Sequence, residues 1–269
     1  MEISRRLREA LTGKSWLIAS ILLAGCAAGV SAGVLRFSDS AHGSANRAQK
    51  QPVLVELFTS EGCSSCPPAD ALLASLDREQ NIPGATVIVL SEHVDYWDHE
   101  GWRDPFSSAE MTARQELYVS RFSQDSAYTP EAVVDGTRGL TGSDRRGLIS
   151  AIQESALRPK IEIAITNAAV SGDAVEAAVT AGPHPRADLY AVLADDHDES
   201  SVSRGENSGR HLEHVAVVRA IEKVGSLNDG LNKQIHFALP NPAHAKMRLV
   251  IFAQERGTGH ILGVAEASL

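Results

Sequence analysis

What the sequence lacks narrows its function before any motif is read. Only three cysteines occur in 269 residues, and Cys63 and Cys66 form its one Cys-x-x-Cys. Without a second such pair, and with no histidines at finger spacing, a four-ligand structural zinc site finds little support. An excess of positive charge is also missing. A formal net charge of −9 and a pI near 5.6 leave no basic face for nucleic acid. The chain has no internal repeat and no long low-complexity segment. What it does have is enough apolar residue, 43%, to bury a core without help from disulfides. Its length suits one large domain or two ordinary ones.

The N-terminus reads as an address. Arg5, Arg6, Arg8 and Lys14 precede an apolar stretch over 16–28. That stretch is short for a membrane span and fits an export signal over 1–32. Two cleavage readings stand side by side. Val30-Ser31-Ala32 places small residues where an ordinary signal peptidase needs them. Leu23-Ala24-Gly25-Cys26 is similar to a bacterial lipobox, which would make Cys26 the lipidated first residue and the lipid the only membrane contact. Either reading predicts an exported protein, periplasmic, with a lipid anchor in the second case. Residues 33–51, rich in Ser, Ala, Gly and polar side chains, read as a flexible tether.

Export bears on Cys63 and Cys66, because disulfides form and persist outside the cytoplasm. A bridge over two intervening residues is a poor staple, since the entropy it removes from the unfolded chain grows with loop length. Its surroundings point to chemistry. Residues 53–58 are an apolar strand-like run, and Pro67-Pro68 followed by Ala71, Leu72, Leu73 and Leu76 reads as a helix. The pair then lies at a strand-to-helix junction, where free amides and the helix dipole stabilise a thiolate. Cys63 is expected as the exposed nucleophile and Cys66, one turn inside, as the resolving thiol.

That strand, Cys-x-x-Cys and helix resemble the thioredoxin superfamily. The resemblance implies a cis-proline before a strand facing the cysteines. Thr129-Pro130, ahead of Ala132-Val133-Val134-Asp135-Gly136, takes that place. Glu56 stands one position off the place of the superfamily's buried acid. Together, ELFTSEGCSSCPPAD, HVDYWDHEGWRDPF, YTPEAVVDG and VSRGENSGRHLEHVAVVR resemble a bacterial domain-of-unknown-function family of exported thioredoxin-like proteins. This resemblance implies a fold and a location, with no assigned substrate.

Residues 92–124 exceed what a plain thioredoxin carries and predict an insertion, with a helix capped by Ser107 or Ser108 and Glu110 near the capping-box position. Its aromatic-rich start follows a second buried strand, over 86–90, and falls on the same sheet edge as the cysteines. Trp97, His93, Asp95 and Thr129 are therefore candidate substrate contacts. Two other readings stay open: a loop that only packs, or a metal held by His93, Asp95, Asp98 and His99. After Ser143 and Asp144, which suit an N-cap, a helix runs to Pro159.

Beyond residue 159 the pattern changes to period two. Strands are expected at 161–165, 175–180, 189–193, 215–221, 235–239, 249–253 and 261–265. The polar stretch over 203–211 lacks the Lys-Ser/Thr ending of a P-loop. It reads as a hairpin loop, either a solvent-facing connector or a contact with the N-terminal domain or a partner. The expected fold is thus an α/β thioredoxin-like domain with a helical insertion over 52–158, followed by a mostly β, sandwich-like domain over 159–269.

Three function classes follow. The first is a thiol–disulfide oxidoreductase with Cys63, Cys66 and Pro130 as its catalytic set, acting without a cofactor. It would serve exported proteins with cysteines or disulfides and need a redox partner to recycle it. The second is a non-catalytic binding protein on the same scaffold. The third is a copper or other metal-handling module.

Overall fold

A computed structural model describes residues 50–239 and 246–269. The export signal and nearly all of the tether lie outside the described residues.

Two parallel strands open the fold. β1 (Gln51–Thr59) and β2 (Ala85–His93) pair in register from Gln51↔Ala85 to Thr59↔His93. Val53, Leu54, Val55, Leu57 and Phe58 are all buried, so β1 is covered on both faces, as its unbroken apolar run requires. Fully burying each such side chain contributes roughly 1.5–3 kcal/mol. Between the strands, α1 (Pro67–Glu79) turns Ala69, Leu72, Leu73 and Leu76 onto the sheet. It stops at Gln80, whose left-handed backbone (φ 45°) cannot continue a helix. α2 (Ala109–Phe122) starts at Ser108, whose hydroxyl accepts the Glu110 amide at 3.1 Å.

β3 (Glu131–Val134) runs antiparallel to β1, with Phe58↔Glu131 as the last pair. Pro130 therefore enters at the edge where β1 and β2 end, as expected, and its bond to Thr129 is cis. β4 (Arg138–Thr141) closes this side, and α3 (Arg145–Ala156), capped by Asp144, packs beneath.

Each of the seven strands expected after residue 159 is present. They are β5 (Ile163–Ser171), β6 (Ala174–Ala181), β7 (Ala187–Ser201), β8 (His211–Ser226), β9 (Leu231–Ala238), β10 (Met247–Glu255) and β11 (Ile261–Ser268). Their assembly overturns the expected fold class. The structure is mostly β, with three helices among the described residues. One mixed eight-stranded sheet has the order β11-β10-β7-β8-β2-β1-β3-β4, and β5-β6-β9 form a small antiparallel sheet. Neither a thioredoxin-like α/β layer nor a separate sandwich is built.

The physical reason lies in the long hairpin of β7 and β8. β8 joins the parallel pair through Ser91↔Val217, which fuses strands from both sides of residue 159 into one sheet. Leu54, Val89 and Ile152 share one apolar cluster with Val192, Val218, Val250 and Phe252. The far faces of β7 and β10 pack on the small sheet through Leu189, Leu193, Ile251, Val179 and Phe237. Period-two alternation announces strands but not which sheet they join.

Candidate functional site

β1 ends at Thr59, and the chain makes two successive turns before α1. The Cys63 amide bonds the Ser60 carbonyl at 3.1 Å, and the Cys66 amide bonds that of Cys63 at 3.2 Å. These turns bring the two Cα atoms to 5.4 Å, and the sulfurs form a disulfide. Cys66 is the N-cap of α1, and Pro67 and Pro68 fill positions that have no use for an N–H. The Cys66 carbonyl accepts from the amides of Ala69 and Asp70 at 2.8 and 3.1 Å.

Ser64 and Ser65 are exposed, yet both cysteines are 0% exposed. The expected exposure of Cys63 is therefore corrected: the turn is at the surface and its sulfurs are covered.

Ser65 Oγ lies 3.3 Å from Cys63 Sγ, and two further segments pack on the turn. The loop after β2 places Trp97 against the turn; a Cβ on Gly62 would lie 3.0 Å from the Trp97 Cβ. Trp97 Nε1 then donates to Thr129 Oγ1 at 2.7 Å, tying the turn to the residue before Pro130. Trp102 Nε1 donates to Glu61 Oε2 at 2.7 Å. The second segment is the tip of the β7–β8 hairpin. The hairpin is irregular, with a register shift between Leu193 and Ala194 and Ala216 at φ 50°. Buried Asn207, at the tip, donates from Nδ2 to the carbonyls of Glu61 (2.8 Å) and Cys63 (2.9 Å).

Beneath the turn lies a buried polar cluster of Glu61, Asp70, His93, Asp104 and His214. Asp104 Oδ2 is 2.7 Å from His93 Nδ1 and accepts the Glu61 amide at 2.8 Å. Burial pushes the Asp104 carboxyl up. The facing His93 charge and hydrogen bond, with the Glu61 and Phe106 amides, outweigh it and hold the carboxyl below its usual range. For His93, burial disfavours the cation, but Asp104 reverses that and raises the imidazole above its ordinary value. Asp70, which accepts from Thr59 Oγ1 at 2.8 Å, is raised because burial exceeds the pull of His214 and His93. His214 Nε2 lies 3.3 Å from Glu61 Oε1, and Ser200 also hydrogen-bonds that oxygen. The rings of His93 and His214 stand edge to face at 4.6 Å. His93 Nε2 and His214 Nδ1 have no hydrogen-bond partner. The cluster can hold and pass protons directly below the turn.

The predicted residues are thus only partly brought together. Cys63, Cys66, Trp97, Thr129 and His93 belong to one neighbourhood. Asp95 does not; it accepts the Thr112 hydroxyl at 2.6 Å and anchors α2. Asp98 serves the loop itself, accepting from Ser107 Oγ and the Asp104 amide, and His99 is exposed. The four proposed metal ligands do not converge. Among the described residues no group of three His, Cys, Asp or Glu side chains could hold a metal ion. Glu56 projects to the opposite face of the sheet and pairs with Arg114 of α2. Glu61, Asp104, Asn207 and His214 were not singled out as site residues by sequence reasoning. The period-two burial of β8 and the polar 203–211 stretch were the available signals.

With this geometry, the chain belongs to the family described as "Protein of unknown function (DUF1223)", whose profile matches residues 54–254. A crystal structure of a protein from Agrobacterium tumefaciens is similar in fold. It is 24% identical, with a TM-score of 0.60, over 82% of this chain and 95% of that one. No curated protein matches the chain.

Proposed function

We propose that this DUF1223-family chain is an exported thiol–disulfide oxidoreductase whose working group is the Cys63–Cys66 pair. The observation that carries the reading is the disulfide in a tight turn at the N-terminus of α1, at the sheet edge and above a proton-holding cluster. Likeness to thioredoxin-like enzymes is local here, limited to the strand, the cysteine turn, the helix and Thr129-Pro130.

In the oxidised form, a thiolate of an exported protein attacks Cys63 Sγ. A mixed disulfide forms, the Cys63–Cys66 bond breaks, and Cys66 leaves as a thiolate stabilised at the helix N-terminus. A second substrate thiolate then attacks the mixed disulfide and releases Cys63. The substrate loses two electrons and two protons, and the pair gains both. The His93 and Asp70 cluster would relay those protons to the cysteine sulfurs. A redox partner of the same exported compartment reoxidises the pair. The reverse cycle uses the same atoms.

The burial of both sulfurs favours a second reading, a structural bridge on a binding protein. The reduction potential separates the two. An exchange-active pair should equilibrate with glutathione, and Cys66→Ala should trap mixed disulfides with exported proteins while Cys63→Ala traps few. A potential below about −300 mV, where structural bridges lie, together with no trapped species, would leave the bridge as the answer. Export itself, and lipidation at Cys26, would be read from the N-terminus of the membrane-fraction protein by mass spectrometry.

A further inference from the structure

The turn that carries the cysteines is exposed at Ser64 and Ser65, so the burial of the sulfurs is not a matter of depth. A second piece of chain lies on the backbone of that turn. We infer that the tip of the β7–β8 hairpin is a specificity-determining shield over the disulfide, with Glu206 and Asn207 as its positioning residues. It slows attack by small thiols and yields most readily to a protein partner that displaces it. The inference rests on the redox reading for its use in exchange, while the shielding itself stands on geometry.

Three observations support it. Asn207 commits its side-chain amide to the two carbonyls on either side of Gly62, those of Glu61 and Cys63, from 146 and 144 residues away in sequence. Its Oδ1 accepts from Arg210 Nη1 at 2.9 Å, so the residue is fully satisfied only when docked. Glu206 Oε2 accepts the Ser64 amide at 3.1 Å. This puts a carboxylate on the residue beside Cys63 and occupies an amide that a thiolate could otherwise use. A carboxylate beside the turn works against a Cys63 thiolate by like charge.

Gly205 seats the tip on the 94–108 loop. Its φ is +73°, and a Cβ there would lie 3.1 Å from the Trp102 Cβ and 3.3 Å from the Glu100 carbonyl. The tip is also self-contained. Val202 bonds Arg210, Gly209 bonds Val202, and Ser208 bonds Gly205 through the backbone. It can leave the turn as a unit by giving up the three bonds made by Asn207 and Glu206.

The test uses the purified chain and measures the rate at which a water-soluble phosphine reduces Cys63–Cys66. In that reaction the sulfurs gain two electrons and two protons, and the phosphine takes its oxygen from water. Asn207→Ala should speed reduction about tenfold or more. Glu206→Gln, whose side chain is exposed and whose fold is safe, should speed it about threefold. In the reduced Glu206→Gln protein, iodoacetamide should label Cys63 at lower pH than in the wild type, a shift that a merely structural role would not produce.

Wild-type rates and an unchanged labelling profile in Glu206→Gln would overturn the shield, whether or not Asn207→Ala folds. The two readings fail separately. Faster reduction with a potential in the structural range keeps the shield and removes the redox role. Unchanged rates with an exchange-competent potential do the reverse.

Discussion

Glu92 and His93 are neighbours on β2 and so point to opposite faces of one sheet. Each belongs to a buried polar cluster, and the two clusters are built differently. On the α2 face, Glu56 accepts from Arg114 Nε at 2.6 Å and from its Nη2, and Tyr118 Oη donates to Glu56 at 2.6 Å. Gln254 of β10 donates to Tyr118 Oη at 3.1 Å, and Arg114 also stacks over the Phe252 ring at 5.1 Å. One cation thus serves two carboxylates, since Glu92 Oε1 lies 3.4 Å from Arg114 Nε. On the disulfide face, acids face imidazoles, with His93 2.7 Å from Asp104 and His214 lying 3.3 Å from Glu61 and 4.0 Å from Asp70. The first arrangement locks β1, β2, α2 and β10 together. The second sets carboxylates against imidazoles under the disulfide. Both faces are buried; what differs is the cation, a guanidinium shared by two carboxylates on one and imidazoles on the other.

The largest effect should follow from breaking the fixed cluster. Arg114→Met leaves Glu56 and Glu92 buried without a cation and should cost about 3–5 kcal/mol in urea unfolding. The disulfide's reduction potential should stay unchanged at temperatures where the variant folds. A shifted potential would show that the two faces communicate.

Asp104→Asn tests the other face and should cost about 1.5–3 kcal/mol, the range for a hydrogen bond to a charged group. Its pH dependence has a definite sign. The depressed Asp104 contributes above its unfolded value near 3.9 and loses that contribution as pH falls through its folded value. The raised His93 contributes fully below about 6.5 and loses it as pH rises through its folded value. The gap between wild type and variant should therefore be widest between about pH 4 and 6.5. A gap independent of pH would mean that the pair is not ionised.

Glu92→Gln should be milder, within about 1 kcal/mol at pH 5. Burial, then the Glu56 charge, pushes the Glu92 carboxyl well up, so the native state favours its neutral form. A raised carboxyl makes stability fall as pH rises past its unfolded value, because the native state keeps the proton longer. The variant should gain on the wild type from pH 5 to 8, read from paired denaturation curves.

The smallest change is Trp97→Phe, which removes the bond to Thr129 with part of the ring and should cost about 0.5–1.5 kcal/mol for the bond itself. If the loop also guides substrates, exchange with a protein thiol should slow more than exchange with a small disulfide. Equal slowing would leave Trp97 with a packing role.

Signals carried by neighbouring residues were legible in the sequence. They include the Cys63–Cys66 turn ahead of Pro67-Pro68, the Ser108 cap, the entry of Pro130 at the ligand edge, and seven strands after residue 159. Signals that depend on distant pairing were not. Nothing local to Val217 says that it meets Ser91, and that one meeting merges what reads as two domains. His214 and Asp104 read only as a buried strand position and a loop acid. Their shared role exists once β8 and the 94–108 loop converge on Glu61. Asn207 sat in a stretch that reads as a hairpin loop with a contact as one option, but composition cannot name the carbonyl it reaches.

The bond between Asn207 and Cys63 also has a consequence in time. A chain that emerges N-terminus first delivers both cysteines while the 144 residues that lead to their cover are still to come. Contacts of such separation close late, because loop closure must precede them. Cys63 and Cys66 therefore pass through an open interval in which an oxidant can join them before the hairpin docks. Refolding of the fully reduced chain should retrace this order, with the thiols becoming unreactive last.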